Sequence, residues 1–190
     1  MNTPNGKALD CLIARGARGD MQAFAALVRE TESCAFALAV RMLDDADDAE
    51  DAVQECFLRV WRHLGRYDGR AKFTTWLYTI VSRICLDRLR ERARTGAVTT
   101  RLPEGCEAVG TVESAEARIE TRDLAEAVRA MARELPPVQR LVFTLRDLED
   151  LPVREVCDIT GLSEGSVKTN LCYARRALRA RLEKHESIRR

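Results

Sequence analysis

The stretch Pro152–Leu182, PVREVCDITGLSEGSVKTNLCYARRALRARL, constrains the fold most. Two helical patterns meet at Gly161-Leu162. The first, Val153–Thr160, puts Val153, Val156, Cys157 and Ile159 on or near one face. Pro152 suits an opening turn, where no backbone donor is needed. Gly161 suits a C′ position that requires a left-handed backbone. Ser163 reads as the N-cap of a second, longer helix. That helix repeats Val167, Leu171, Ala174 and Leu178 at helical spacing. A small residue, Cys157, four before the turn glycine and Val167 six after it complete a helix-turn-helix pattern. In that motif the second helix enters the major groove, with base-reading side chains near its N-terminal end. The plain alternative is a helical hairpin with a charged face.

Charge is distributed rather than excessive. The net charge is only +1, so overall charge does not announce a nucleic-acid binder. Asp44, Asp45, Asp47, Asp48, Glu50, Asp51 and Glu55 form an acidic run. Arg83, Arg88, Arg90, Arg92 and Arg94 form a basic cluster, and 175–190 another. Such a chain can meet a basic protein and an anionic duplex with different surfaces. The seven cysteines are scattered, without a CxxC pair or a nearby histidine couple, so neither zinc nor a disulfide framework is expected. Most fall in apolar helical patterns and read as small buried hydrophobes, with Cys106 as an exposed exception. No secretory pattern opens the chain and no apolar run is long enough to span a bilayer, so a reduced, cytoplasmic setting is expected.

Along the chain the pattern is helical throughout. A short helix is expected over 9–17. Asp20 caps a helix bearing Phe24, Leu27 and Val28, continued by Phe36, Leu38, Val40 and Met42-Leu43. Asp47 and Asp48 favour the start of the next through the helix dipole. Val53, Cys56, Phe57, Val60, Trp61 and Leu64 carry that helix to Gly65. Residues 66–72 read as a loop turning at Asp68-Gly69. A further helix runs from Phe73 to about Arg94, its stripe made by Trp76, Leu77, Ile80, Val81, Ile84 and Leu89. From 95 to 110 no period survives, which marks a flexible linker. Helical pattern returns near Glu113 and runs through Leu124, Val128, Met131 and Leu135. Pro136-Pro137 stop it and start the next helix, with Val138, Leu141, Val142 and Leu145. The expected fold is all-α: two small helical domains joined by a flexible linker, the C-terminal one containing the helix-turn-helix.

The two halves together resemble the extracytoplasmic-function (ECF) group of the sigma-70 family, specificity subunits of bacterial RNA polymerase. The first half carries Asp48-Ala49-Glu50-Asp51 with Gln54 and Phe57, Phe73-Thr74-Thr75-Trp76-Leu77, and Asp87 with Arg90. The second carries Leu135-Pro136, Gln139-Arg140, Phe143, Leu145-Arg146-Asp147-Leu148, Glu155, Gly161-Leu162-Ser163 and Gly165-Ser166-Val167-Lys168. No counterpart of the large middle domain of primary sigma factors separates them. The resemblance implies region 2 over 1–94, a linker over 95–112 and region 4 over 113–190.

It also implies sites. Asp48, Asp51, Gln54, Glu55, Phe57 and Leu58 would bind the clamp helices of the largest core subunit. Their acidic and amide face suits a basic partner. Arg66, Tyr67, Arg70, Lys72, Arg83, Asp87, Arg88 and Arg90 would bind and open the −10 element, which takes a captured base and cations along the strand. Trp76 lies on the apolar stripe and reads as core rather than wedge. Arg83 stands where the family usually has Asn, and a guanidinium cannot reproduce an amide's paired donor and acceptor. Ser163, Ser166, Lys168, Thr169, Asn170, Tyr173, Arg175 and Arg176 would bind the −35 element. The family commonly has Arg at the positions of Asn170 and Tyr173, so a shifted base preference is expected. Lys168, Arg175 and Arg176 have a second reading as phosphate contacts only.

Expected partners are core polymerase (clamp helices and the flap of the second-largest subunit), promoter DNA and an anti-sigma factor. The linker's Glu104 and Glu107 would mimic nucleic acid near the polymerase active centre or serve as a plain tether. No cofactor is expected, and no enzyme activity: the chain has no nucleophile–base pair, metal cluster or phosphate loop. The competing class is a stand-alone helix-turn-helix regulator with a dimerising or sensing N-terminal domain. A thiol or metal sensor is a third.

Overall fold

Asp20 starts the helix that the first unit is built around. Its carboxylate accepts from the Gln22 and Ala23 amides, both at 3.0 Å. Those bonds, the Ala23 amide first and then Arg15, hold its carboxyl below the usual aspartate value. A computed structural model describes residues 6–96, 128 and 130–189, and no strand occurs among them. Of the expected linker at 95–112, Thr95 instead closes a helix and Gly96 caps it, and the rest, with most of the helix expected from Glu113 and with Glu104, Cys106, Glu107 and Leu124, lies outside the described residues. The helices are α1 (Gly6–Gly16), α2 (Met21–Leu43), α3 (Ala46–His63), α4 (Phe73–Thr95), α5 (Pro137–Phe143), α6 (Val153–Thr160) and α7 (Glu164–Arg189). They fall into two compact units. One holds α1–α4, and the other holds α5, α7 and most of α6.

In the first unit α2 packs on α1, α3 and α4. Its buried residues Leu27, Thr31, Ala35, Leu38, Ala39 and Met42 form one stripe, as helical periodicity requires of a packed face. The Thr31 hydroxyl satisfies itself on the Leu27 carbonyl at 2.7 Å. The acidic run opens α3 as expected, but its cap is Asp45, which accepts from the Asp48 amide at 3.0 Å. Asp47 and Asp48 then lie in the first turn, where the dipole favours them. Leu64–Arg66 tightens into a 3-10 turn before the loop.

A polar layer joins α3 to α4. Arg92 donates to the Leu43 carbonyl at 2.8 Å and pairs with Asp48. Arg88 donates to the Asp48 carbonyl at 3.3 Å and lies 3.7 Å from the Asp48 carboxylate and 3.5 Å from Glu55. Arg83 on the same helix is exposed and makes no such contact among the described residues.

In the second unit α5 packs on α7. The helix expected to continue through Leu145 instead widens into a π-turn over Thr144–Leu148. Arg175 of α7 grips this turn through Asp147 with two bonds of 2.8 and 2.6 Å. Arg181 donates to the Met131 carbonyl at 2.8 Å, and the largely buried Arg140 donates to that of Ala132 at 3.1 Å. The helix-turn-helix follows its sequence pattern closely. Gly161 has φ +72° and donates to the Cys157 carbonyl at 2.8 Å. Ser163 accepts from the Ser166 amide at 3.2 Å, and Val167, Leu171, Ala174 and Leu178 are all buried.

Three substitutions test these contacts and the turn. Arg92→Met strips the Leu43 carbonyl of its side-chain donor and leaves Asp48 with Arg88 alone, so it is expected to destabilise the first unit by about 1–3 kcal/mol. Arg83→Ala is expected to leave thermal unfolding unchanged. Nothing lies within 4 Å of a Cβ built on Gly161, so the cost of Gly161→Ala is the left-handed backbone alone. Urea unfolding is expected to read that cost as about 1–2 kcal/mol.

Candidate protein and nucleic-acid interfaces

The face expected on α3 divides in two. Asp51, Gln54 and Leu58 are exposed, and neither Asp51 nor Gln54 has a side-chain partner among the described residues. Asp48 and Glu55 are only half exposed and face the arginines of α4; Glu55 also pairs with Arg59 at 2.5 Å. Phe57 is buried at 7 % exposure and supports the face from beneath. Asp48 and Glu55 are therefore not part of a freely exposed carboxylate face. They are within reach of cations that the fold itself supplies.

The loop after α3 is built on aromatic packing. The Tyr67 ring lies tilted at 5.3 Å from Trp76 and edge-on at 5.7 Å from Phe73, and its hydroxyl donates to the Ala71 carbonyl at 2.7 Å. Trp76, expected in the core, is only half-buried in this cluster. The cluster holds the loop in place, and the left-handed Gly69 turns it. The Arg66, Arg70 and Lys72 side chains are exposed. Arg70 pairs with Asp68 at 3.1 Å. On α4, Arg83 and Arg90 are exposed, and Arg90 pairs with Asp87 at 2.8 Å. Arg88 differs from them, because it faces α3.

On α7 the expected residues occupy two neighbouring faces. Thr169, Tyr173 and Arg176 recur at four- and three-residue steps, are exposed, and have no side-chain partner among the described residues. Tyr173 is 54 % exposed. Lys168, Cys172, Arg175 and Arg179 line a groove beside Leu171, which Arg176 also borders. Lys168 is tied to Glu164 at 2.5 Å and Arg175 to Asp147. The Asn170 amide donates to the Ser166 carbonyl at 2.8 Å, and the Ser163 and Ser166 hydroxyls meet at 2.9 Å. The N-terminal turn thus satisfies much of its own polar chemistry.

The cysteines divide differently from expectation. Cys56 and Cys85 are buried, Cys34 and Cys157 half-buried, and Cys11 and Cys172 exposed. Burial pushes the Cys56 and Cys85 thiols up to about 12, and for Cys56 the neighbouring Cys85 adds to it. Thiols held protonated in this way are poor nucleophiles and poor ligands. No cluster of His, Cys, Asp or Glu among the described residues could hold a metal ion. No helix among them is long and apolar enough to cross a membrane. Sequence reading named Asp45, Arg92 and Asp147 only within charge runs and a motif and Phe24 only as core, so it missed their roles, and it missed Met21, which lies with Phe24 beside Leu58 and Trp61. For Arg92 a signal existed: Val81, Cys85, Arg88 and Arg92 continue one stripe.

The chain is similar to known proteins along most of its length. Residues 27–95 match Sigma-70 region 2, and residues 125–178 match Sigma-70, region 4. It is 31 % identical over 173 residues to the RNA polymerase sigma-H factor of Pseudomonas aeruginosa, covering 88 % of this chain and 90 % of that one. It is 30 % identical to the ECF RNA polymerase sigma factor SigW of Bacillus subtilis, covering 87 % and 91 %. Among solved structures, it resembles CnrH, determined in complex with the cytosolic domain of CnrY, with TM-score 0.66 and 24 % identity over 93 % of this chain and 98 % of that one. It also resembles RpoE of Bartonella quintana, determined with the anti-sigma factor NepR, with TM-score 0.68 and 18 % identity over 86 % and 98 %. These two likenesses concern the fold. Two helical units in sigma order, matched to both regions and to full-length relatives, place this chain in the ECF group of the sigma-70 family, initiation factors rather than enzymes, which bind core polymerase and direct it to promoters.

Proposed function

We propose a division of labour within this sigma factor. Residues 1–94 bind core polymerase and open the −10 element, 113–190 read the −35 element and meet the flap, and 95–112 tether the two. Asp51, Gln54 and Leu58 dock on the clamp helices, with Phe57 as their support. Asp48 and Glu55 act mainly by holding α4 in place. Arg66, Arg70, Lys72, Arg83 and Arg90, beside Asp87, line the −10 strand. Tyr67 and Arg88 position that surface rather than touch the strand. Arg83 contributes a phosphate or stacking contact at the position where the family's amide would be.

Thr169, Tyr173 and Arg176 read bases, and Ser163, Ser166, Lys168, Asn170 and Arg175 set the helix start and its phosphate contacts. The observation that carries this reading is the outward face of α7, whose Thr169, Tyr173 and Arg176 side chains have no partner among the described residues. Arg176 suits guanine, and the Tyr173 ring suits the thymine methyl group. The chain acts in the cytoplasm. An anti-sigma factor holds it inactive; RpoE of Bartonella quintana, which shares the fold, was determined in complex with one.

Core polymerase mixed with this chain is expected to start transcription at a discrete site on linear promoter DNA in a run-off assay. No initiation, combined with an operator footprint by the chain alone, would make it a stand-alone regulator instead. In a selection from randomised −35 elements, Tyr173→Ala and Arg176→Ala are each expected to lose about 1–3 kcal/mol of base discrimination. Arg175→Ala is expected to lower the stability of the second unit and leave the selected sequence unchanged.

A further inference from the structure

The groove along α7 is bordered by four cations, Lys168, Arg175, Arg176 and Arg179, and they are not equivalent. Arg176 and Arg179 have no side-chain partner among the described residues. Arg175 is held by both carboxylate oxygens of Asp147, at 2.8 and 2.6 Å. Lys168 is held by Glu164 at 2.5 Å. The two carboxylates come from different places. Asp147 lies in the π-turn, 28 residues before Arg175, and Glu164 lies in the first turn of α7 itself. Half of the cations of the groove are therefore neutralised before any anion reaches it.

The pairs do little for the cations themselves. The Arg175 side chain is 56 % exposed, Lys168 64 % and Glu164 65 %, so water already solvates them. Exposed ion pairs of this kind contribute little to stability. Their effect falls on an incoming ligand. A phosphate approaching Arg175 or Lys168 meets a cation already engaged and a carboxylate that repels it. Arginine binds carboxylate and phosphate through the same two-pronged geometry, so Asp147 and a phosphate compete for one set of donors. Binding through phosphates is independent of sequence and grows with the number of cations engaged. Occupying two of the four cations weakens contact with any duplex and leaves base readout by Thr169, Tyr173 and Arg176 as it was.

We propose that Asp147 and Glu164 are internal competitors of DNA, which occupy Arg175 and Lys168 and so restrain the sequence-independent binding of α7 to duplex. The inference rests on the phosphate role given above to Lys168 and Arg175. Arg176 and Arg179 remain free to settle α7 on a duplex presented to it. They hold bulk DNA only weakly, so the chain stays off it until a partner brings it to a promoter.

The test measures binding of the full chain, alone and with core polymerase, to a promoter duplex and to one of scrambled sequence, across a range of salt. Asp147→Asn keeps the side-chain shape and removes the charge. In low salt it is expected to tighten binding to both duplexes by about twofold to fivefold. It is also expected to steepen the slope of log affinity against log salt by about 0.9. Glu164→Gln is expected to do the same through Lys168, and both variants are expected to select the same −35 sequence as the native chain. In an Arg175→Ala background, Asp147→Asn is expected to give no gain. An equal gain in that background would make the effect one of bulk charge and overturn the proposal. Tightening on the promoter duplex alone would assign the carboxylates to base readout and overturn it as well. If Asp147→Asn loosens the second unit, Glu164→Gln still reads the effect at a wholly exposed pair, and no gain there overturns the proposal. If neither charge removal changes binding while Arg175→Ala and Lys168→Ala weaken it, the competition falls and the phosphate role stands. If those alanine variants leave the salt slope unchanged, the phosphate role falls too.

Discussion

Each unit has a single apolar core, and every helix must turn one stripe towards it. A unit of fewer than a hundred residues has little core to spare, so no stripe can be given up without loss of the fold. In the first unit this requirement is met around α2, where Ala35 and Ala39 are fully buried and let neighbouring helices approach closely. The consequence for function is subtractive. Partner-binding side chains come only from the faces that remain. On α3 the remaining face begins at Asp47 and ends at Trp61, and on α7 it holds Thr169, Tyr173 and Arg176.

The second constraint is electrostatic. Acidic α3 and basic α4 lie side by side, and their nearest charges neutralise one another. Arg92 is 18 % exposed at its side chain and Arg88 28 %, against 39 % for the Asp48 and Glu55 carboxylates. Half-buried pairs of this kind add little net stability, yet removing one partner leaves a poorly solvated charge behind. Their effect is to fix how α4 lies on α3. The charges further out, Asp51 on one side and Arg83 on the other, stay available. A chain with a net charge of only +1 thus carries surfaces of opposite sign without being strongly charged itself.

The helices were legible in the sequence because their signals are local. Asp20, Gly161 and Ser163 each act within four residues, and the stripe from Val167 to Leu178 can be read from spacing alone. The misreadings arise where the determining partner is distant in the chain. Arg88 and Arg92 look like part of a basic cluster until Asp48 is brought beside them, forty or more residues away. Nothing near Arg175 in the sequence announces Asp147, which the π-turn presents to it. Cys172 falls within a helical pattern, yet its position faces solvent, whereas Cys56 and Cys85 lie on stripes that are buried. Met21 was missed for the same reason: Phe24 and Trp61 each read as core, and only the fold places Met21 and Leu58 at their open edge.

The face proposed above to read bases bounds how much sequence α7 could read. Thr169 to Arg176 is seven steps of the helix, about 10 Å along its axis. Base pairs rise about 3.4 Å each, so one face of this length addresses about three of them. The turn before it is already satisfied by Ser163, Ser166 and the Glu164–Lys168 pair, which fixes where the helix begins. Ala180, the next position on that face, carries no polar group to hydrogen-bond a base edge. The cations continue instead on the neighbouring face at Arg175 and Arg179, where they can meet phosphates without reading bases. A short reading face beside a longer basic one gives modest specificity from this helix alone. Selectivity for a whole promoter then depends on the −10 element being read as well, and therefore on the polymerase that holds both units to the same DNA.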